Sequence, residues 1–432
     1  MNKLILTLIV LIFLNNCSFN ENSKIWKNEE DKIETNKNVK KVFSDENKLV
    51  SEFNQGLKLD LSGLNIQNKI EYNLNNFGSQ KYHGNFEKIG NYKFSKLEGL
   101  NQLNFKPIIF NEGILFFDKK GSVLSYNKKQ KLNWKKNHYS KTEKKLQPKL
   151  NFLLDNNNVL ITDSISSYYS INLDTGELNW LKNNKYPFNS EIKKFKDKIF
   201  VVDYKNTLRC YYIKNGTECW NLQTDDSFKI SDNKYSLIII NNEVIFTNSI
   251  GDITSVNIEN GLISWQLPTQ SSSIVNETYN FKMSKLVSDG NSIFLSNNKN
   301  QFYSIDVKTG IINWINEINS NITPKLVGNL IFTVSNDGFL YVVDKNLGNI
   351  IRITDLYKNY KNKIRKKINP VGFVIGGKNL YLTNSDGRIL IAGLELGSVI
   401  KTEKISGNLI SEPFIFNNNL YVVKNGSIIQ YK

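Results

Sequence analysis

The sequence predicts an all-β fold, an eight-bladed β-propeller built of four-stranded antiparallel blades. Three observations predict it: a Gly-x-x-x-Trp register that returns down the chain, apolar alternation between the returns, and two end segments that each hold part of one blade.

The register is clearest in "LDTGELNW" (173–180), "IKNGTECW" (213–220), "IENGLISW" (258–265) and "VKTGIINW" (307–314). Aligned on the aromatic, Trp134, Trp180, Trp220, Trp265 and Trp314 are separated by 46, 40, 45 and 49 residues by subtraction. Phe94, Arg352 and Lys401 continue it in weaker form, four residues after Gly90, Gly348 and Gly397. The eight anchors are thus spaced by (401 − 94)/7, about 44 residues. That is the length of four short strands with their connections, at roughly 6 plus 5 residues each.

The text between anchors agrees. "NEVIFTNSIGDITSVNIENGLISW" holds an alternating run, a Gly turn, a second run, an Asn-Gly turn and the Trp strand. Asp337-Gly338, Asp386-Gly387 and Asn425-Gly426 are hairpin turns, because these pairs accept positive φ. Gly176, Gly216, Gly261 and Gly310 supply a left-handed turn residue, and each Trp re-enters as a flat surface against the neighbouring blade. Ser170, Ser255 and Ser304, ten before their Trp, are small where sheets approach closely.

The ends predict closure. After Lys401 only 31 residues remain (432 − 401), enough for three strands, while "IGNYKF" near Gly90 is a fourth-type strand without three partners before it. Pairing the two removes the open edge of a linear stack.

With 40% apolar residues and 12% aromatics, the 432-residue chain folds around a large core and is not a disordered protein. Its formal charge of +16 comes from lysines scattered throughout. This reads as a solvated surface, with an anionic partner or lipid surface as the alternative. The segment "MNKLILTLIVLIFLNNC" carries Lys3, an apolar run from Leu4 to Leu14 and then Cys17, the layout of a secretory signal. The run is too short to span a bilayer core of ~30 Å. The chain therefore divides into a signal peptide (1–16), a polar, mostly irregular tether (17–87) and the propeller (88–432). Within the tether, Leu49, Val50, Phe53 and Leu57 fall on one possible helical face, or belong to a fluctuating linker.

The register in "SINLDTGELNW" and "SIDVKTGIINW" resembles the tryptophan-docking repeat of quinoprotein-type propellers. Two families use it: the quinone-dependent dehydrogenases and BamB, the lipoprotein propeller of the outer-membrane β-barrel assembly machine. Cys17 after its apolar run resembles a bacterial lipobox, although Asn15 and Asn16 depart from that pattern, and Ser18 is similar to outer-membrane sorting signals. The N-terminus, period and length together look like BamB. That resemblance implies a non-catalytic, lipid-anchored protein on the periplasmic face of the outer membrane, without cofactor or nucleic-acid partner. It implies binding to the POTRA domains of the barrel-forming subunit and to nascent outer-membrane proteins. The family's contact loop matches "YPFNSE", so Pro187, Phe188 and Ser190 carry over while Asn189 replaces an Arg; Asp232 corresponds to a second, acidic site. A packing role for Phe188, plugging a gap between blades, is the competing reading.

Chemistry is sparse. His83 and His138 are the only histidines, with no metal-ligand or nucleophile pattern around them. A quinone-dependent dehydrogenase, by resemblance, wants adjacent cysteines, calcium ligands and a much longer chain. A propeller binding cell-wall glycan or another envelope protein is the third reading. Cys210 and Cys219 flank one hairpin and have packing explanations, with a cross-strand disulfide as the alternative.

Overall fold

A computed structural model describes residues 50–61, 78–95, 105–110, 113–225, 234–269 and 281–432. Ser51–Lys432 form one compact unit. The expected signal peptide, Cys17 and Leu49 lie outside the described residues.

Eight four-stranded antiparallel sheets form the ring, so the eight-bladed propeller predicted by the repeat is the observed fold. Blades 1 to 7 span 108–136, 150–183, 193–223, 237–267, 287–316, 325–355 and 370–404, each a meander in chain order. In blade 8, Lys88–Lys93 pairs with Ser427–Tyr431, outside Asn419–Lys424 and Phe414–Phe416. The N-terminal strand thus completes the C-terminal blade, and the covalent ends of the ring meet inside one sheet.

First strands face the axis, where those of neighbouring blades touch, as Lys193–Phe195 does with Leu237–Ile240. Second strands are buried on both faces; every residue of Gly113–Phe117 is buried. That is why they read as continuous apolar runs rather than alternating ones. Fourth strands form the rim and alternate exposed with half-buried residues, as in Leu178–Asn183.

Each Trp of the register sits directly opposite the small residue of the third strand: Ser125 with Trp134, Ser170 with Trp180, Cys210 with Trp220, Ser255 with Trp265 and Ser304 with Trp314. The indole then reaches the next blade. Its Nε1 donates to a carbonyl there, from Trp134 to Leu173 O (3.1 Å), Trp180 to Ile213 O (3.1 Å), Trp220 to Ile258 O (3.0 Å), Trp265 to Val307 O (2.9 Å) and Trp314 to Lys345 O (3.1 Å). The turn glycine of that next blade lies under the ring. A Cβ on Gly310 would come 2.6 Å from Trp265 Cε3, and its φ is +71°. Glycine is required there twice over, by conformation and by contact.

A strand bulge precedes every Trp of the register. In blade 2 the pairing steps from Ser170↔Trp180 to Ile171↔Leu178, which leaves Asn179 as the extra residue. Its side chain donates back to Ser170 Oγ at 3.1 Å, and Asn313 does the same to Ser304 Oγ at 3.2 Å. In blade 3 the bulge residue is Cys219 and the small residue is Cys210, and both are free thiols. The two cysteines occupy the positions of a recurring polar pair, and burial pushes both thiol pKa values up.

The tether differs from the helical expectation. Phe53 forms an antiparallel bridge with Ile353, exchanging hydrogen bonds of 3.0 and 3.1 Å, and 54–57 make a turn, so the described part of the supposed helix is an extended strap. The reason is an unpaired blade edge: the backbone of Phe53 satisfies the rim of blade 6, and Leu59 and Leu61 enter the core between blades 6 and 7. This joint has no Trp. Arg352 takes the Trp position, paired with Val342, and is fully buried. Its guanidinium donates to Leu57 O (3.0 Å), Glu395 O (2.6 Å) and Leu394 O (2.7 Å). Strap and arginine replace one indole.

Candidate functional site

Two places hold residues that structure alone does not account for: the loop between blades 2 and 3, and the axial channel.

The loop follows Leu178–Asn183 and leads into Lys193–Phe195. Phe188 is buried against Tyr168, with ring centroids 5.9 Å apart and nearly perpendicular. Its amide donates to Asp163 O, and Asn189 N donates to Val202 O at 2.9 Å. Ser190 is buried and accepts from Val202 N at 2.8 Å. The loop therefore stitches blades 2 and 3, and its Ser190 bridges to Tyr235 at the start of blade 4. Of the residues matched to the contact loop, Pro187 is half-buried, and Phe188, Asn189 and Ser190 are buried in the free chain. The exposed crest is Lys185, whose ammonium lies 5.4 Å from the Tyr186 ring. Asp232 lies outside the described residues.

The channel is lined by the first strands and the residues just before them. Counting two residues back from the position that pairs with the second strand gives Lys106, Glu191, Lys285 and Glu412 in blades 1, 3, 5 and 8. Lys193 and Lys325 lie at that pairing position itself in blades 3 and 6, and their side chains are only 2% and 3% exposed. Lys234 enters just before blade 4, its ammonium 3.8 Å from the centroid of the Phe105 ring.

Two carboxylates serve this set. Glu191 is paired with Lys193 at 3.7 Å and with Lys285; Glu412 is paired with Lys325 at 3.2 Å and with Lys106 at 3.5 Å. Burial raises the Glu412 pKa, and the fields of Lys106, Lys325 and Lys285 outweigh burial and hold it at about 2. Glu191 is likewise held well below the usual carboxylate range, by Lys285 and Lys193 against its burial. The lysines divide: burial opposes the Lys285 charge, but the fields of Glu191 and Glu412 outweigh it and raise its pKa. Burial, reinforced by neighbouring ammoniums, lowers Lys193 to about 8 and Lys234 to about 7.

All of these except Lys285 border a cavity of about 130 Å3 on the propeller axis. Sequence reasoning missed it, because each blade contributes one or two residues about 44 apart. The signal was present in the charged residue that opens "KPIIF", "EIKKF", "KLVS" and "EPFIF".

Among the described residues no group of three His, Cys, Asp or Glu is placed to hold a metal ion, and no helix is long and apolar enough to cross a membrane. His138 is tied to Gly176 O at 3.1 Å, and burial lowers its pKa.

The family model for outer membrane protein assembly factor BamB matches residues 116–354. No curated protein sequence matches the chain. Among solved structures, BamB from Moraxella catarrhalis is similar, with a TM-score of 0.64 and 15% identity, covering 80% of this chain and 99% of that one. Quinohemoprotein alcohol dehydrogenase from Comamonas testosteroni is similar with a TM-score of 0.61 and 9% identity, covering 82% and 78%. The computationally designed Ika8 protein has a TM-score of 0.59 at 12% identity, covering 79% and 99%. At these identities the solved structures establish the propeller fold and nothing finer.

Proposed function

Since the chain belongs to the family of outer membrane protein assembly factor BamB, we propose that it is a non-catalytic scaffold of the outer-membrane β-barrel assembly machinery. It is anchored by lipid at Cys17, faces the periplasm and binds the POTRA domains of the barrel-forming subunit. The family match over 116–354 carries this reading.

Two features of the molecule support it. The rim strands leave backbone edges and aliphatic side chains in solvent, among them Ile263, Ile315 and Ile400, at 47%, 51% and 63% exposure. An extended segment of another protein can add to such an edge, as Phe53 of this chain already does on Ile353. The crest of Lys185, Tyr186 and Pro187 offers a cation and an aromatic beside the buried Phe188, so POTRA contact at this loop runs through the crest.

The alternative, a quinone-dependent dehydrogenase, is favoured by the likeness to the quinohemoprotein fold. Against it stands the charge of the axial channel, where the ammonium groups of Lys193, Lys234 and Lys325 repel a divalent cation. The test is an affinity purification of the full-length chain from gently solubilised envelopes. Co-purification of the barrel-forming subunit is the expected result. Its absence, together with dye reduction on addition of quinone cofactor and calcium, establishes the dehydrogenase. Capture of glycan or another envelope protein in its place points to the third reading.

A further inference from the structure

The axial channel concentrates positive charge beyond what the scaffold reading uses. Four lysines, Lys106, Lys193, Lys234 and Lys325, line the cavity against two carboxylates, Glu191 and Glu412. Lys285 stands behind, paired with Glu191. Among the described residues the set sums to five cations and two anions, a formal excess of +3. Burying like charges this close costs free energy that no fold requires, since leucine, valine or isoleucine occupies the equivalent inner positions of other blades, such as Leu237 and Val287.

A second observation points to the same space. Gln80 lines the cavity and is only 5% exposed, held there by a backbone bridge to Gly376. Its amide nitrogen meets no acceptor among the described residues. A buried donor without an acceptor is uncommon and calls for a partner. Ammonium groups likewise only donate. The cavity of about 130 Å3 is thus lined by donors and positive charge, and its volume is well above the ~15 Å3 one water needs. Lys106 at 36% and Glu412 at 20% side-chain exposure mark a solvent-accessible mouth.

We infer that the axial cavity is an anion site for a compact oxyanion carrying two or more negative charges, of the phosphate or phosphate-monoester class. Lys193 and Lys325, the most buried, hold the anion; Gln80 donates to one of its oxygens; Lys106 and Lys234 complete the charge balance. Glu191 and Glu412 keep the lysines apart and oriented. The lowered pKa values of Lys193 and Lys234 agree, because burial disfavours their ammonium charge and the neighbouring lysines add to it. The site is independent of the scaffold function.

Isothermal titration of the full-length chain with inorganic phosphate, and separately with glycerol 3-phosphate, tests it at matched ionic strength against chloride. Saturable binding of one phosphate group per chain, at least tenfold tighter than chloride, is expected. Preference between the two probes distinguishes free phosphate from a phosphorylated headgroup. Lys193→Met and Lys325→Met each weaken binding tenfold or more, and Gln80→Leu weakens it severalfold. The exposed turn variant Lys308→Met leaves it unchanged. Because Lys193→Met removes a desolvated charge while Lys285 still pairs with Glu191, the variant also melts no lower than the parent in phosphate-free buffer, and its stabilisation by phosphate is lost. Phosphate binding no tighter than chloride, or equal weakening by Lys308→Met and Lys193→Met, overturns the inference. A chain that binds phosphate yet captures no assembly partner keeps this inference and loses the scaffold reading.

Discussion

Trp265→Ala lowers the stability of the propeller by about 3 kcal/mol, near the low end for truncating a large aromatic because the indole is half-buried. The substitution removes the hydrogen bond to Val307 O at 2.9 Å and opens a gap above the turn of Gly310, into which a tightly curved backbone cannot collapse. Unfolding entropy of ~2.1 cal/mol/K per residue over residues 88–432, which is 432 − 87 or 345 residues, gives about 0.7 kcal/mol/K. The expected fall in the unfolding midpoint is therefore about 4 °C, read by circular dichroism or calorimetry. An unchanged midpoint with partner capture lost would place the indole in a binding surface instead.

Arg352→Met is expected to cost roughly 2 kcal/mol, the balance of two opposing effects. Removing a fully buried cation that forms no ion pair among the described residues recovers some desolvation energy. It also removes three charge-assisted bonds worth ~1.5–3 kcal/mol each, stranding Leu57 O and Leu394 O, while Glu395 O keeps the amide of Leu59 at 3.0 Å. The second effect wins. Methionine fills much of the volume, so the loss reports the hydrogen bonds more than packing. Because Leu57 belongs to the strap, the variant also exposes residues 50–61 to limited proteolysis at the rim of blade 6. Resistance to cleavage with unaltered stability would contradict the role given to the guanidinium.

The indole joints and the guanidinium joint differ in how far each was legible in the sequence. Five joints announced themselves, because glycine and tryptophan four apart are chemically distinctive and recur. The closure of blade 8 was legible as well, from two incomplete ends that needed each other. The Arg352 joint was visible only as a weak anchor, since its acceptors come from residue 57 and from 394–395, nearly 300 and about 43 positions away. The apolar spacing of Val50, Phe53 and Leu57 misleads about the strap, because it docks through its backbone and two leucines and not through a helical face.

Side-chain roles were harder to read than strands. The bulge before each Trp shifts the period by one, so Cys219 lies beside the residue opposite Cys210 and not opposite it. In the blade 2–3 loop, an aromatic among polar residues reads equally as anchor or plug; the fold buries Phe188 and leaves Lys185 exposed. The axial lysines look like ordinary surface charge, and only the radial arrangement of blades gathers them.

The ring closes through the N-terminal strand, and amide hydrogen exchange of the full chain reads that closure. Lys88–Lys93 pairs with Ser427–Tyr431, Asn91 opposite Ile429 and Lys93 opposite Ser427. Closure predicts that the hydrogen-bonded amides of 88–93 and of 427–431 exchange slowly and with the same opening free energy, as one cooperative unit. Exchange of 88–93 at the rate of an unstructured peptide, while 427–431 stays protected, would contradict it.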